Sequence, residues 1–450
     1  MTKASPSKLL EQAMSLAKKQ GADQADALLL SGSNLVVRQR MGKLETLERA
    51  EENALGLRVL VKADKGFRSS MVSTNDMTEK DIPELVERVV AMAKAAPPDP
   101  FVSLADEKRL TASVPDLKLA DTKEATEEQL KSIAAETEAA ALAVKGVTNS
   151  EGAEVRYSNS EITLATSQGF LKSYKSTSFS SMISAIAGTG TGMETDYAYA
   201  VSRHLKSLKS PKDIGQEAGN RAVKRLNPRK TNTQQVPIVF EWRVASSLLG
   251  SFAGAINGAS IARGVSFLKD SMNKPVFGAN ITIIDDPLLV GGLASHPFDG
   301  EGVAGKKLKL IDQGVLTSWI LDTRSARQLN LSTTGHATRG TSSPPRPSSS
   351  NLYMENGKVS VKDLLAGIKT GFYVTDAFGM GVNDVTGDYS QGASGFWIEN
   401  GELAYAVSEV TIAGNLKDMF MALTPANDLE MRYGTNAPTV RIDGMTIAGN

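Results

Sequence analysis

The residues able to do chemistry are few, and their spacing is the first constraint. The chain has three histidines, His204, His296 and His336, and no cysteine. Disulfides, thiolate nucleophiles and cysteine-containing metal sites are therefore excluded together. The histidines are too far apart in sequence for any two to share a turn of helix, the arrangement that gives a metal two nitrogen ligands on one face. The densest polar cluster is His296, Asp299 and Glu301 in HPFDGE, preceded by Asp285-Asp286. Acids and glycine in a loop serve first as turn formers and caps, and that is the reading adopted over a metal site. His336, in TTGHATR, is expected to bond a neighbouring backbone group rather than act as a base.

Other catalytic templates fail on inspection. Residues 300–306, GEGVAGK, fill the first seven places of a phosphate loop, but Lys307 stands where a hydroxyl is required. The stretch also follows an acidic loop, not an apolar strand leading into a helix. Residues 188–192, GTGTG, lack dinucleotide spacing and read as a hairpin tip. A GxSxG elbow is absent. Residues 271–274, SMNK, match SxxK, which chance supplies in a chain with 50 basic residues.

What remains is a glycine-rich stretch, 379–395, dense in Asn, Asp and Ser, whose backbone suits positive φ and close approach. It offers Asn383, Asp388, Tyr389 and Gln391 beside a hairpin, FWI-ENGE-LAYAV, whose Asn-Gly turn between apolar runs is a strong signal. Such a surface can take up an extended peptide by adding a strand to a sheet edge. It can equally be a loop that satisfies itself and closes the core; the residues leave both open. Asp299 and Glu301 join these four as candidate peptide- or partner-contacting residues, and no catalytic or metal residue is assigned.

The elements that must position these residues follow from pattern. A helix starts at Ser5-Pro6 and stops at Gly21. Strands are expected at 25–30, 35–40, 44–50 and 55–61, with Leu35, Val37 and Gln39 alternating imperfectly against Val36, Arg38 and Arg40, as in a sheet with one wet face. A second helix carries Ile82, Leu85, Val86, Val89, Val90 and Met92 on one stripe and ends at the prolines from 97. Residues 101–121 are expected to wrap the surface, and 122–142 to be helical. Strands at 147–158, 161–166, 169–186 and 195–201 precede a helix capped by Ser210-Pro211. Residues 203–230 hold nine basic and two acidic residues, read as a solvated helix face and linker. A strand at 235–241 and a helix at 243–256 open the second half. Residues 335–350, with RGTSSPPRPSSS, read as a surface loop. The class is α+β, with two domains, 1–230 and 231–450, each with helices packed on mainly antiparallel sheet.

Composition bounds the partners. Lys+Arg and Asp+Glu both number 50, so the net charge is about zero, which argues against a nucleic-acid binder. Hydrophobic content of 41% with 22% charged residues is ordinary for a globular protein. No apolar run suits a signal core or a membrane span, so a cytoplasmic location is expected.

Six ordered stretches carry a resemblance: IIDDP from Ile283, SHPFDGEG from Ser295, GVLTSWILDTRSA from Gly314, TTGHATR from Thr333, VNDVTGDYSQGASGFWIENGE with SEVTIAGNLKDMF, and the C-terminal IDGMTIAGN. Together they resemble the TldD/TldE (PmbA) family, on the TldE side, also known as modulators of DNA gyrase. The likeness is dense in the C-terminal half and extends more loosely to LVVRQRMGKLETLERAEENALGLRVLV near the start. In that family, TldD-type chains hold zinc with an HExxxH helix and a late cysteine. The matching helix here, RVASSLLGSFAGAI at 243–256, has no histidine and no acid. The resemblance thus implies a non-catalytic subunit. It would pair with a zinc-bearing TldD-type chain in a peptidase that trims precursor peptides and degrades unfolded polypeptides, a pairing that also allows a homodimer when the partner is missing. Two other readings stand beside it: an independent metallohydrolase built on the HPFDGE cluster, and a binding-only regulator of gyrase or an antitoxin.

Overall fold

The computed structural model describes residues 6–76, 78–379 and 381–449. Ser5, expected at the start of the first helix, lies outside them, as do Met380 and Asn450.

Long hairpins build the first half. The strands β1 (Gln24–Arg40), β2 (Lys43–Lys62), β3 (Phe67–Thr74), β4 (Pro98–Asp99), β5 (Val147–Thr166), β6 (Leu171–Ala187) and β7 (Glu194–Ser202) form one seven-stranded sheet in the order β4-β3-β2-β1-β5-β6-β7. Every neighbouring pair is antiparallel. Three of these strands each join two segments that the side-chain pattern separates. Ser31-Gly32-Ser33-Asn34 interrupts the apolar alternation of β1, yet its backbone stays paired with β2 and β5 throughout. Gly32 is needed there, because a Cβ would lie 2.2 Å from the Asn159 carbonyl oxygen.

The odd-numbered residues of β1 face helices. Against Ala25, Ala27, Leu29, Leu57 and Val59 pack α1 (Pro6–Lys19) and α2 (Ile82–Ala95). Farther along, Leu35 and Val37 share a core with Val155, Phe179 and Ile183 under α3 (Glu127–Leu142) and α4 (Pro211–Lys224). The Ser210 cap is the expected one, and α3 starts five residues later than the helical run read from residue 122. Thr126 and Gln129 form a capping box on α3, and Ser210 caps α4 ahead of Pro211. Gly215 lets α4 approach α3, since a Cβ would meet the Thr137 carbonyl at 2.2 Å.

The second half opens with β8 (Gln234–Phe240) and α5 (Trp242–Ala255). After α6 (Gly258–Ala262) come β9 (Ile283–Asp285), β10 (Leu308–Asp312), β11 (Val315–Leu316) and α7 (Thr323–Gln328). Short β12 (Ala337–Thr338), β13 (Arg346–Pro347) and β14 (Leu352–Met354) lead to α8 (Val361–Ala366). The chain finishes with β15 (Thr370–Phe378), β16 (Asp388–Glu399), β17 (Glu402–Asn415), α9 (Leu416–Ala422), β18 (Leu423–Pro425), β19 (Thr435–Asn436) and β20 (Val440–Ala448). Strands β17-β16-β15-β8-β20 close on themselves through a β17–β20 pairing, with only β8 and β15 parallel in that ring. Beside the ring lies the sheet β11-β10-β9-β14-β19. Both share one core, in which Phe240, Phe252, Phe277, Phe372 and Phe420 are fully buried. The architecture is α+β.

Two expectations about surface segments change. Residues 335–350 are threaded between the halves, where Ala337 and Ser350 are buried and the Arg339 side chain is 1% exposed. A Cβ on Gly56 of β2 would sit 2.1 Å from the Thr341 carbonyl, so that glycine makes room for the segment. The close approach is made by the Thr341 backbone, while Ser342 and Pro344 just beyond it stay exposed as a surface loop would. In 203–230, several arginines turn inward. Arg221 and Arg225 are only 19% and 16% exposed, and both pair with carboxylates at the junction of the halves.

Candidate functional site

Asp299 and Glu301 are structural caps in geometry. The Asp299 carboxylate accepts from the backbone N–H groups of Glu301 and Val303, each at 2.9 Å, and of Ala337 at 3.0 Å. Glu301 accepts from the Thr323 N–H at 2.9 Å and its hydroxyl at 2.7 Å. Both are buried, and burial raises both carboxyls above their ordinary range, Glu301 further because Asp299 and Asp322 lie near it.

Of the neighbouring histidines, His336 is equally committed. His336 places Nδ1 2.9 Å from the Thr334 carbonyl and Nε2 2.9 Å from Asp285. The backbone bond is the one expected; the buried Asp285 is an addition. Asp285 also accepts from the Ser350 N–H at 2.8 Å and from its hydroxyl. Burial pulls the imidazole down, but the Asp285 hydrogen bond and charge leave it above its usual value. His296 puts Nδ1 3.2 Å from the Ala294 carbonyl. His204 sits apart, its Nε2 2.9 Å from the Lys118 carbonyl.

The loop candidates sit elsewhere. The Asn383 side chain accepts from the N–H groups of Val385 and Thr386, at 3.0 and 3.3 Å, and its backbone bonds Asp388 and Gly387. Asp388 accepts from the Thr386 hydroxyl at 2.6 Å and the Asn415 amide at 3.1 Å, contacts that hold its carboxyl below the usual range. Turned with its amide nitrogen inward, Gln391 bonds the Phe378 and Gly379 carbonyls, each at 3.0 Å. Tyr389 is 3% exposed, packed in the core edge-on to Phe240. The structure joins Asn383 and Asp388 on one tight turn, sets Tyr389 and Gln391 on β16 beyond it, and does not bring Asp299 and Glu301 to them.

Sequence reasoning missed a cleft of about 610 Å³ where the two halves meet. Tyr199 at the end of β7 and Arg221 of α4 line one side, and Trp242, Gly291-Gly292, Arg432 and Tyr433 the other. The rings of Tyr199 and Tyr433 stack at 4.6 Å, and Trp242 follows Tyr433 at 6.1 Å. The Arg432 guanidinium lies 4.0 Å from the Trp242 ring centroid. The Tyr433 hydroxyl donates to the Tyr199 carbonyl at 3.1 Å, and burial pushes that phenol well up. Beneath, Arg243 bonds Glu241 at 2.8 Å and Asp196 at 3.3 Å, which holds its guanidinium charged despite burial. Arg203 ties the walls together by donating to the carbonyls of Thr177, Gly292 and Leu293. No motif marks Arg432 or Tyr433; the only signal was Trp242, one of three tryptophans, at the start of α5.

Profiles of three domains described as PmbA/TldA metallopeptidase domain 1, central domain and C-terminal domain match residues 25–93, 120–226 and 233–449. Metalloprotease PmbA of Escherichia coli O157:H7 is 37% identical over 447 residues, covering 98% of this chain and 96% of that protein. The chain belongs to the PmbA/TldD metallopeptidase family. A PmbA homolog of Haemophilus influenzae is also 37% identical, covering 97% of this chain and 95% of its own length. Among solved structures, a proposed modulator of DNA gyrase from Bacteroides thetaiotaomicron superposes with a TM-score of 0.89 at 29% identity, covering 99% of both chains. TldE of Thermococcus kodakarensis shares the fold, with a TM-score of 0.85 at 21% identity over 98% of this chain and all of its own.

The family's metallopeptidase chemistry needs a metal site, and the donors here do not fit one. On α5 the inward residues are Val244, Leu248, Leu249 and Phe252, all spent on the core. Both oxygens of Asp299 and Asp285, and Oε2 of Glu301, are taken by backbone, hydroxyl and imidazole partners. Among the described residues, no group of three or more His, Asp or Glu side chains is arranged to hold a metal ion. No step through zinc is derived for this chain.

Proposed function

We propose that this chain is the non-catalytic subunit of a two-chain peptidase of its family, paired with a TldD-type chain that carries zinc and activates water. The observation that carries this reading is α5, whose apolar inner face offers the core Leu248 and Phe252 and offers a metal nothing. The cleft between the halves supplies what a substrate-shaping subunit needs. Stacked aromatic faces and a guanidinium hold a peptide backbone and side chains without demanding a sequence, which suits extended or unfolded polypeptides and precursor peptides. Neutral net charge agrees with a peptide rather than a nucleic acid as partner. Related folds in the two chains make pairing about a pseudo-twofold natural, and allow this chain to pair with itself when alone. No described helix is long and apolar enough to cross a membrane, which suits the cytoplasmic setting we assign.

The test is hydrolysis of an unstructured casein-like substrate by the purified chain alone and by its mixture with the TldD-type chain, zinc present in both. Cleavage only in the mixture is expected. Chelator-sensitive cleavage by the lone chain would overturn the reading and return attention to His296, Asp299 and Glu301.

A further inference from the structure

A second cavity, of about 380 Å³, lies away from the aromatic cleft, between the sheet and the segment 335–350. Its floor is the sheet face opposite the helices. Leu28 and Leu30 of β1 lie in register with Leu164 and Ile162 of β5, and Tyr174 of β6 pairs with Ile162. Phe298 closes one end, edge-on to Tyr174 at 5.3 Å. The polar wall includes His296, Asp299, His336 and Arg339, with the Asp299 carboxylate taken up by backbone N–H groups and His336 by Asp285.

Arg339 is the unusual member. Its Nη1 donates to Asp26 at 2.6 Å, while Asp26 also pairs with Arg58 across the β1–β2 ladder. The opposite edge of the guanidinium, Nε and Nη2, is closed off from bulk water and has no partner among the described residues. Buried side-chain donors are nearly always paired, and Nε with Nη2 is one of the two-donor edges that match the two oxygens of a carboxylate. His296 adds a second orphan. Its Nδ1 faces the Ala294 carbonyl and so carries the proton, and burial keeps the ring neutral. Its buried Nε2, also unpartnered, is left as an acceptor.

We propose that this cavity is a binding site for a small carboxylate with a branched apolar body. The Nε–Nη2 edge of Arg339 takes the carboxylate, and the leucines, Ile162 and Phe298 take the hydrocarbon. A hydroxyl or amine beside the carboxylate donates to His296 Nε2. The volume suits a molecule of amino-acid size. This site is separate from the cleft assigned to peptide, and the proposal stands whether or not the chain serves a peptidase.

The test is calorimetric titration of the full chain with 4-methylpentanoate, its 2-hydroxy derivative and the isosteric amide, 4-methylpentanamide. The hydroxy acid is expected to bind best and the amide at least about tenfold more weakly than the acid, roughly the loss of one charge-assisted pairing. Arg339→Lys keeps a charge for Asp26 but loses the two-donor edge, and is expected to weaken the acid about tenfold or more. Ile162→Phe fills the cavity without touching the charges, and is expected to do the same. If Arg339→Lys fails to fold, Ile162→Phe and the amide decide alone. Equal binding of acid and amide overturns the proposal, as does undiminished binding by Ile162→Phe. No heat from any probe at millimolar concentration also overturns it, and assigns the free edge of Arg339 to buried water.

Discussion

The two interfaces between the halves of this molecule are built on opposite principles. Under the first strands, Asp26, Arg58 and Arg339 form an ionic seam in which Asp26 and Arg58 are 1% and 4% exposed. At the other junction, Tyr199, Tyr433, Trp242 and Arg432 line an open cleft with aromatic faces. The seam spends the Asp26 carboxylate on both guanidinium groups, which fixes that charge in place and leaves the Nε–Nη2 edge of Arg339 unpaired. The cleft keeps ring faces and a guanidinium at the surface, where a ligand can use them. Charge density is thus a poor guide to function here, and accessible aromatic surface is a better one.

The largest expected effect comes from breaking the seam. Asp26→Ala leaves two buried guanidinium groups without their shared carboxylate, and removal of one partner from a buried pair costs about 3–5 kcal/mol. Urea unfolding of the variant should show that loss, with stability recovering little at high salt because the site is dry. A change below about 1 kcal/mol would mean the seam is wet and the contrast with the cleft is false.

Glu301 sharpens the same comparison through pH. Its carboxyl is raised on folding by burial, with Asp299 and Asp322 adding to it. A raised acid holds its proton more tightly when folded, so its contribution is fully present below the unfolded value of about 4.3 and is lost as pH rises through the folded value. Glu301→Gln keeps an acceptor for Thr323 and removes the titration. Wild type is expected to lose roughly 1–3 kcal/mol relative to the variant between pH 5 and 9, because each tenfold difference in proton affinity between the folded and unfolded chain is worth about 1.4 kcal/mol. Parallel stability curves for the two proteins would place Glu301 in contact with water.

How much of this was legible in the sequence depends on which physical signal each residue leaves. The start of α4 was readable because Ser210-Pro211 is local chemistry, whereas the capping box of Thr126 and Gln129 that starts α3 was passed over within the run 122–142. The one-sided burial of Leu35 and Val37 was readable from alternation. That 243–256 carries no histidine and no acid was plain from the residues, and it was the family resemblance that made this a question about metal. The continuity of β1 through Ser31–Asn34 was not, because sheet pairing is a backbone property and the apolar pattern reports only burial. Nor was the burial of Arg339, whose partner Asp26 lies 313 residues away. The cleft was invisible for the same reason: Tyr199 and Tyr433 are ordinary tyrosines until the fold stacks them.

The cleft itself is tested by Tyr433→Ala and Trp242→Ala in the two-chain hydrolysis assay. Each is expected to lower turnover of an unstructured substrate about tenfold, near the 1–1.5 kcal/mol attributed to one aromatic contact. Secondary structure should be unchanged by circular dichroism. Normal turnover in both variants would remove the cleft from the substrate path.

The smallest effect is expected at the turn that the sequence had marked. Asn383 and Asp388 spend their side chains on Val385, Thr386 and Asn415, all within the turn or its neighbouring strand end. Replacing Asn383 with Ala removes only exposed local bonds, and surface changes of that kind usually stay within about 0.5 kcal/mol. Turnover in the mixture is expected to fall less than about threefold, well short of the loss at Tyr433. The inequality matters more than either value. A turn that only satisfies itself predicts Tyr433→Ala far below Asn383→Ala in activity at similar stability. The reverse order, with Asn383→Ala the more damaging and the fold intact, would move the peptide from the aromatic cleft to the edge of β16.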